Sequence, residues 1–157
     1  DRIFKLSNGE KVVSAEVEQI IQGACHYLTF ALVEGSGRSF PVALLFPNRD
    51  LLSGTPEIAG CTCPRSLNDL SMCLQGCLGQ ANESIVQKYA RVKYAVLLDA
   101  DLSIDQGTLT PSMKVVANNV TSMYRGTIED LYAIEGPTSE DVYVIPLAEE
   151  RPMTTDN

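Results

Sequence analysis

The chain has 157 residues, enough for one domain with a core of its own. Its formal net charge of −8 leaves no basic field to attract phosphate, which excludes nucleic acid as a partner. Hydrophobic residues make up 45% and no apolar run reaches the length of a membrane span, so no transmembrane segment is expected.

The chain opens Asp1-Arg2-Ile3-Phe4-Lys5, with no apolar h-region and no initiator methionine, so it is expected to be a piece of a longer cytoplasmic protein. Residues 3 to 6 and 10 to 13 flank Ser7-Asn8-Gly9, and Asn-Gly is the strongest short hairpin signal. A helix follows, with Ser14 as its N-cap, Val17, Ile20 and Ile21 on its buried face, and Gly23 at its end. Residues 26 to 34 and 39 to 47 are expected strands joined by the turn Glu34 to Arg38, with Pro41 at an edge or a strand start. Residues 48 to 65 are expected to be loop. Ser66 to Tyr89 carries helical spacing, with Gly76 and Gly79 predicting a kink or a break. Another strand is expected at 92 to 99 and a helix from about 115 to 133.

These elements make an α+β domain at 1–133: a small mixed sheet with an N-terminal β-hairpin, flanked by about three helices. Residues 134–157 are expected to form a tail with an edge strand at Val142 to Ile145 and a disordered end.

Five cysteines without a secretory signal imply free thiols. Cys61, Cys63, Cys73 and Cys77 lack a usual zinc-ribbon spacing, and the pair Cys73 and Cys77 fits two small apolar residues on one buried helix face; no metal site is assigned. His26 is expected at a strand end in a structural role, and Asp99, Asp101 and Asp105 in a solvated turn, because no glutamate falls where a calcium loop requires one.

Lys114 stands out. Gly107 supplies a bend, Pro111 fixes its own φ, and after Lys114 the residues Val116, Val120, Met123 and Tyr124 follow at helical spacing. A long ammonium arm at a loop-to-helix boundary can reach a neighbouring site, although a solvated lysine near a helix start has the same pattern.

Two segments together resemble a known family. Asp1 through Glu18 resembles the hinge and first hairpin of the C-terminal domain of adenylate-forming enzymes. Gln106-Gly-Thr-Leu-Thr-Pro-Ser-Met-Lys114-Val resembles the catalytic-lysine loop of the same superfamily, in the form found in long-chain fatty acyl-CoA synthetases. Tyr124, Ile128 and Leu131-Tyr132 resemble its closing helix. The resemblance implies a two-step reaction in which a carboxylate, such as a fatty acid, attacks the α-phosphate of ATP, and a thiol, usually that of CoA, then displaces AMP. It implies a lid that rotates against the protein's own N-terminal adenylation domain, which would hold most of the ATP, Mg²⁺ and CoA contacts. Lys114 would be the catalytic residue, Ser7, Asn8 and Gly9 would approach the pantetheine, and Asp1 would be the hinge. Lys5, Glu16 and Glu18 match family positions and fit equally well as surface and first-turn charges. The isolated domain is expected to be inactive.

One departure stands out: Val115 to Asn119 is uncharged where the family continues with a basic run, leaving Arg125 as the next cation. Two alternatives stay open, an acyl-AMP ligase with a carrier-protein acceptor and a non-catalytic α+β binding module.

Overall fold

A computed structural model describes residues 2–52, 64–133 and 142–147. Asp1, Cys61, Cys63 and the disordered end expected for the tail lie outside the described residues.

The N-terminal hairpin pairs β1 (Ile3–Lys5) with β2 (Lys11–Val13), Phe4 opposite Val12. The loop is longer than the two residues that Asn-Gly favours. Leu6 N–H donates to the Glu10 carbonyl and Gly9 N–H to the Leu6 carbonyl (both 2.9 Å), with Gly9 at φ 88°. Asn8 Oδ1 accepts from Glu10 N–H at 3.0 Å and closes the turn from its side chain.

Helix α1 (Ser14–Ala24) begins at Ser14, with Val13 in the N-cap position. Ser14 is therefore not the cap: it is buried at 1% exposure, and its N–H donates to the Arg2 carbonyl at 2.9 Å. This pairing with the chain before the hairpin satisfies one of the N–H groups that the first turn of a helix leaves without a partner. Gly23 does not end the helix, which runs to Ala24.

The main sheet has four strands in the order β3-β4-β5-β6: β3 (Leu28–Glu34), β4 (Val42–Pro47), β5 (Tyr94–Leu98) and β6 (Val142–Pro146). Strands β3 and β4 are antiparallel, β4 and β5 parallel, and β5 and β6 antiparallel, so the sheet is mixed. Strand β6 is the expected edge strand. His26 lies in an exposed turn before β3 rather than in the strand, and Pro41 stands just before the interior strand β4.

Between β4 and β5, the expected loop contains one helical turn, α2 (Arg49–Leu52). Helix α3 (Leu67–Ser84) is unbroken despite Gly76 and Gly79, because Leu70, Leu74, Leu78 and Ala81 bury one continuous face. Burial of that face outweighs about 1 kcal/mol of propensity loss per glycine. Ser66 caps it, accepting from Asp69 N–H at 3.1 Å. A 3-10 turn follows at Lys88–Ala90.

The final expected helix is two: α4 (Ala117–Met123) and α5 (Arg125–Tyr132), joined at Tyr124 with φ −108° and ψ 23°. The Tyr124 ring meets Phe46 edge-on at 5.8 Å, so packing on the sheet sets the bend.

Alternate strand residues face opposite ways. On one face Leu45, Ala95 and Leu97 pack with the hairpin, α1 and α3. On the other, Leu44, Val96 and Leu98 pack with Leu109, Val120, Ile128 and Leu131. The hairpin and the Lys114 loop therefore sit on opposite faces of the sheet.

The cysteine expectation is corrected. Cys25, at the end of α1, is disulfide-bonded to Cys77 in α3, with a Cα–Cα distance of 5.5 Å. Cys73, expected to be buried, is a free and exposed thiol.

Candidate functional site

Lys114 stands at the end of a small hairpin of its own. Leu109 and Val115 form an isolated antiparallel bridge, and Val116 N–H donates to the Thr108 carbonyl at 2.9 Å. Between them Thr110 organises the turn. Its carbonyl accepts from Met113 N–H, its N–H donates to the Lys114 carbonyl (both 2.8 Å), and its hydroxyl accepts from Lys114 N–H at 3.0 Å. Met113 takes φ 66°, the left-handed position that closes a three-residue turn.

The base of this loop is pinned from inside. Thr108 is completely buried, its Oγ1 accepting from Ser103 N–H at 2.7 Å and donating to the Ser103 carbonyl at 3.0 Å. Gly107, at φ 76°, offers its carbonyl to the Asn119 amide at 2.7 Å. Within the uncharged stretch Val115 to Asn119, Asn119 thus braces the loop.

The Lys114 backbone is thus fixed while its side chain is exposed. Among the described residues no carboxylate pairs with its ammonium. Asp99 and Asp101, expected in a solvated turn, are exposed but not idle. Arg49 reaches both, at 2.5 and 3.1 Å, and ties α2 to the loop after β5. Such exposed pairs contribute about 1 kcal/mol or less.

On the opposite face, Ser7, Asn8 and Gly9 form an exposed tip. It is braced from below, where Ser7 N–H donates to the Arg38 carbonyl and Gly37 N–H to the Lys5 carbonyl, both at 2.8 Å. The structure does not bring this tip together with Lys114.

Beside α3 lies a cleft of about 860 Å³ that sequence reading did not find. Lys88, Arg91 and Lys93 line it with Phe40 and Tyr89, and Glu83 is the one acidic residue among the described residues of its wall. The Lys93 ammonium stands 4.9 Å above the Phe40 ring, and Arg91 Nε donates to the Ile85 carbonyl at 3.1 Å. Three cations within six residues of an acidic chain were the available clue.

Residues 1–136 match the family described as the AMP-binding enzyme C-terminal domain. The chain belongs to this family. Human long-chain-fatty-acid–CoA ligase 1 is 26% identical over 137 residues, a match that spans 83% of this chain and 20% of the relative. Among solved structures, the A-PCP didomain of carboxylic acid reductase from Segniliparus rugosus, in complex with AMP, is similar with a TM-score of 0.64. That match has 24% identity over 84% of this chain and 17% of that one. The adenylation domain of the Mycobacterium chelonae carboxylate reductase gives a TM-score of 0.63 at 21% identity, over 83% of this chain and 19% of that one. These two likenesses are of fold. The chain spans about a fifth of the curated relative's length.

Proposed function

We propose that this domain is the rotating lid of an AMP-forming fatty acyl-CoA synthetase, and that Lys114 is its catalytic residue for adenylation. The carrying observation is an exposed ammonium, without a carboxylate partner among the described residues, on a backbone held by Thr108 and Thr110. As a carboxylate attacks the α-phosphorus, charge builds on the phosphate oxygens. A lysine with no internal partner has its donors available for them. ATP with Mg²⁺ supplies the reacting phosphate and CoA the acceptor thiol, both held chiefly by an N-terminal adenylation domain. Ser7, Asn8 and Gly9 would border the thiol's path, offering a tight turn without bulk.

The opposite placement of the two segments supports rotation: one face serves adenylation and the other thioester formation. Asp1 would be the pivot. Lys114→Ala in the full-length enzyme should slow pyrophosphate exchange by roughly 10²- to 10³-fold. Thioester formation from preformed acyl-adenylate should be unchanged. Unaltered pyrophosphate exchange would defeat the assignment and favour the non-catalytic binding module.

The acceptor can be argued from the cleft. Its cations and aromatic rings suit the phosphates and base of CoA. Lys88→Ala combined with Arg91→Ala should raise the KM for CoA and leave the KM for ATP unchanged. An enzyme insensitive to these changes but active with a phosphopantetheinylated carrier protein would favour the acyl-AMP ligase reading.

A further inference from the structure

Arg2 is the first described residue, beside the hinge position, and it is anchored rather than free. Its Nη1 lies 2.7 Å from Glu18 Oε2, and its Nη2 lies 3.1 Å from the Val33 carbonyl and 3.6 Å from Glu34 Oε1. Glu18 Oε2 also accepts from Val33 N–H at 2.8 Å, so one carboxylate joins α1 to the arginine and to β3. Glu34, at the end of β3, turns its other oxygen toward the opposite side. Thr121 Oγ1 lies 2.6 Å from Glu34 Oε2, with the Ala117 carbonyl 2.9 Å away as the alternative acceptor of the same proton.

Thr121 is on α4, the helix that leaves the Lys114 loop. The contacts therefore run unbroken from the residue after the hinge, through α1 and the end of β3, to the lysine-bearing side. The Glu18 and Glu34 side chains are 13% and 22% exposed against 37% for Arg2, so the carboxylate ends of the network are partly shielded from water and salt. A second brace runs alongside: Arg38, whose carbonyl holds Ser7, pairs through its guanidinium with Glu129 of α5 and lies 4.5 Å over the Tyr132 ring.

We infer that Arg2, Glu18, Glu34 and Thr121 form a positioning network that couples rotation at the chain's entry to the orientation of the Lys114 loop. None of the four touches the reacting atoms. A lid that turns about its first residue must be stiff between that residue and the lysine, because slack would spread the ammonium over many orientations. A misplacement of even 1 Å can cost up to about 10²-fold in rate.

The inference rests on the reading of Lys114 as the adenylation lysine. Its test is Thr121→Val in the full-length enzyme, which removes the hydroxyl at nearly constant shape. Pyrophosphate exchange should fall on the order of tenfold in kcat with the KM for ATP little changed. Thioester formation from preformed acyl-adenylate should be unaffected, Thr121→Ser should restore the rate, and Arg2→Gln should be non-additive with Thr121→Val. Parent-like exchange in Thr121→Val, an equal fall in both half-reactions, or no rescue by serine overturns the network. Should Lys114→Ala itself leave exchange intact, the failure belongs to the lysine assignment. Amide hydrogen exchange then decides the network separately: Arg2→Gln should quicken exchange in residues 117–123 of the full-length enzyme, and unchanged protection there overturns it.

Discussion

The two exposed tips of this domain are built alike and equipped differently. Ser7-Asn8-Gly9 and Thr110 to Lys114 are both short turns above a buried face, and both are held by backbone hydrogen bonds. The hairpin tip offers small groups and main chain, whereas the other tip offers a full positive charge. The first suits a thread of substrate passing close to backbone, and the second suits developing negative charge. A four-stranded sheet separates them.

That comparison can be broken most forcefully on the hairpin side. The disulfide closes a sequence separation of 52 residues, and its loss should cost about 4 kcal/mol by the chain-entropy relation. Cys25→Ala with Cys77→Ala, followed by urea unfolding, measures this. Gly35→Ala comes next. Its new Cβ would lie 2.9 Å from Phe4 Cε1 and 3.1 Å from Pro41 Cα, so roughly 1–3 kcal/mol of destabilisation is expected. The thioester step should suffer first, since Phe4 carries the hairpin. On the lysine side, Thr108→Val strips the loop base of its hydroxyl and leaves the Ser103 N–H unpaired. A loss of about 1–3 kcal/mol should appear in unfolding, with adenylation more affected than thioester formation.

The smallest effect tests the shared network. Burial raises the Glu18 pKa above 4.5, and the bond from Val33 N–H and the Arg2 partner oppose that rise without cancelling it. The folded state then holds the proton more tightly than the unfolded state. The stability this provides is present below pH 4.5 and is lost as pH rises through the folded value. Glu18→Gln should remove that part of the decline, which unfolding measured on either side of the interval would show.

The sequence made local features legible and left long-range ones hidden. Asn8-Gly9 revealed the first hairpin, and Pro111 with the spacing after Lys114 revealed the loop, because both are written in neighbouring residues. The unbroken α3 was not legible, since glycine propensity is local and the burial that offsets it is not. The Cys25–Cys77 bond, the Arg2–Glu34–Thr121 contacts and the cleft of Lys88, Arg91 and Lys93 depend on which elements become neighbours, which residue spacing does not encode. Ser14 sits inside the helix rather than at its cap, and the partner of its N–H, the Arg2 carbonyl, comes from the segment before β1, which neighbouring residues do not encode.

Met113 has a consequence of its own. Its backbone takes a shape that suits glycine and costs a residue with a Cβ about 1–2 kcal/mol, yet it keeps a long thioether side chain, the residue being 56% exposed. An oily, pliable group is thereby held in solvent next to the lysine, which on the proposed lid reading is where the domain meets its partner. Met113 would then act as a soft bumper, seating the ammonium against whatever surface it enters.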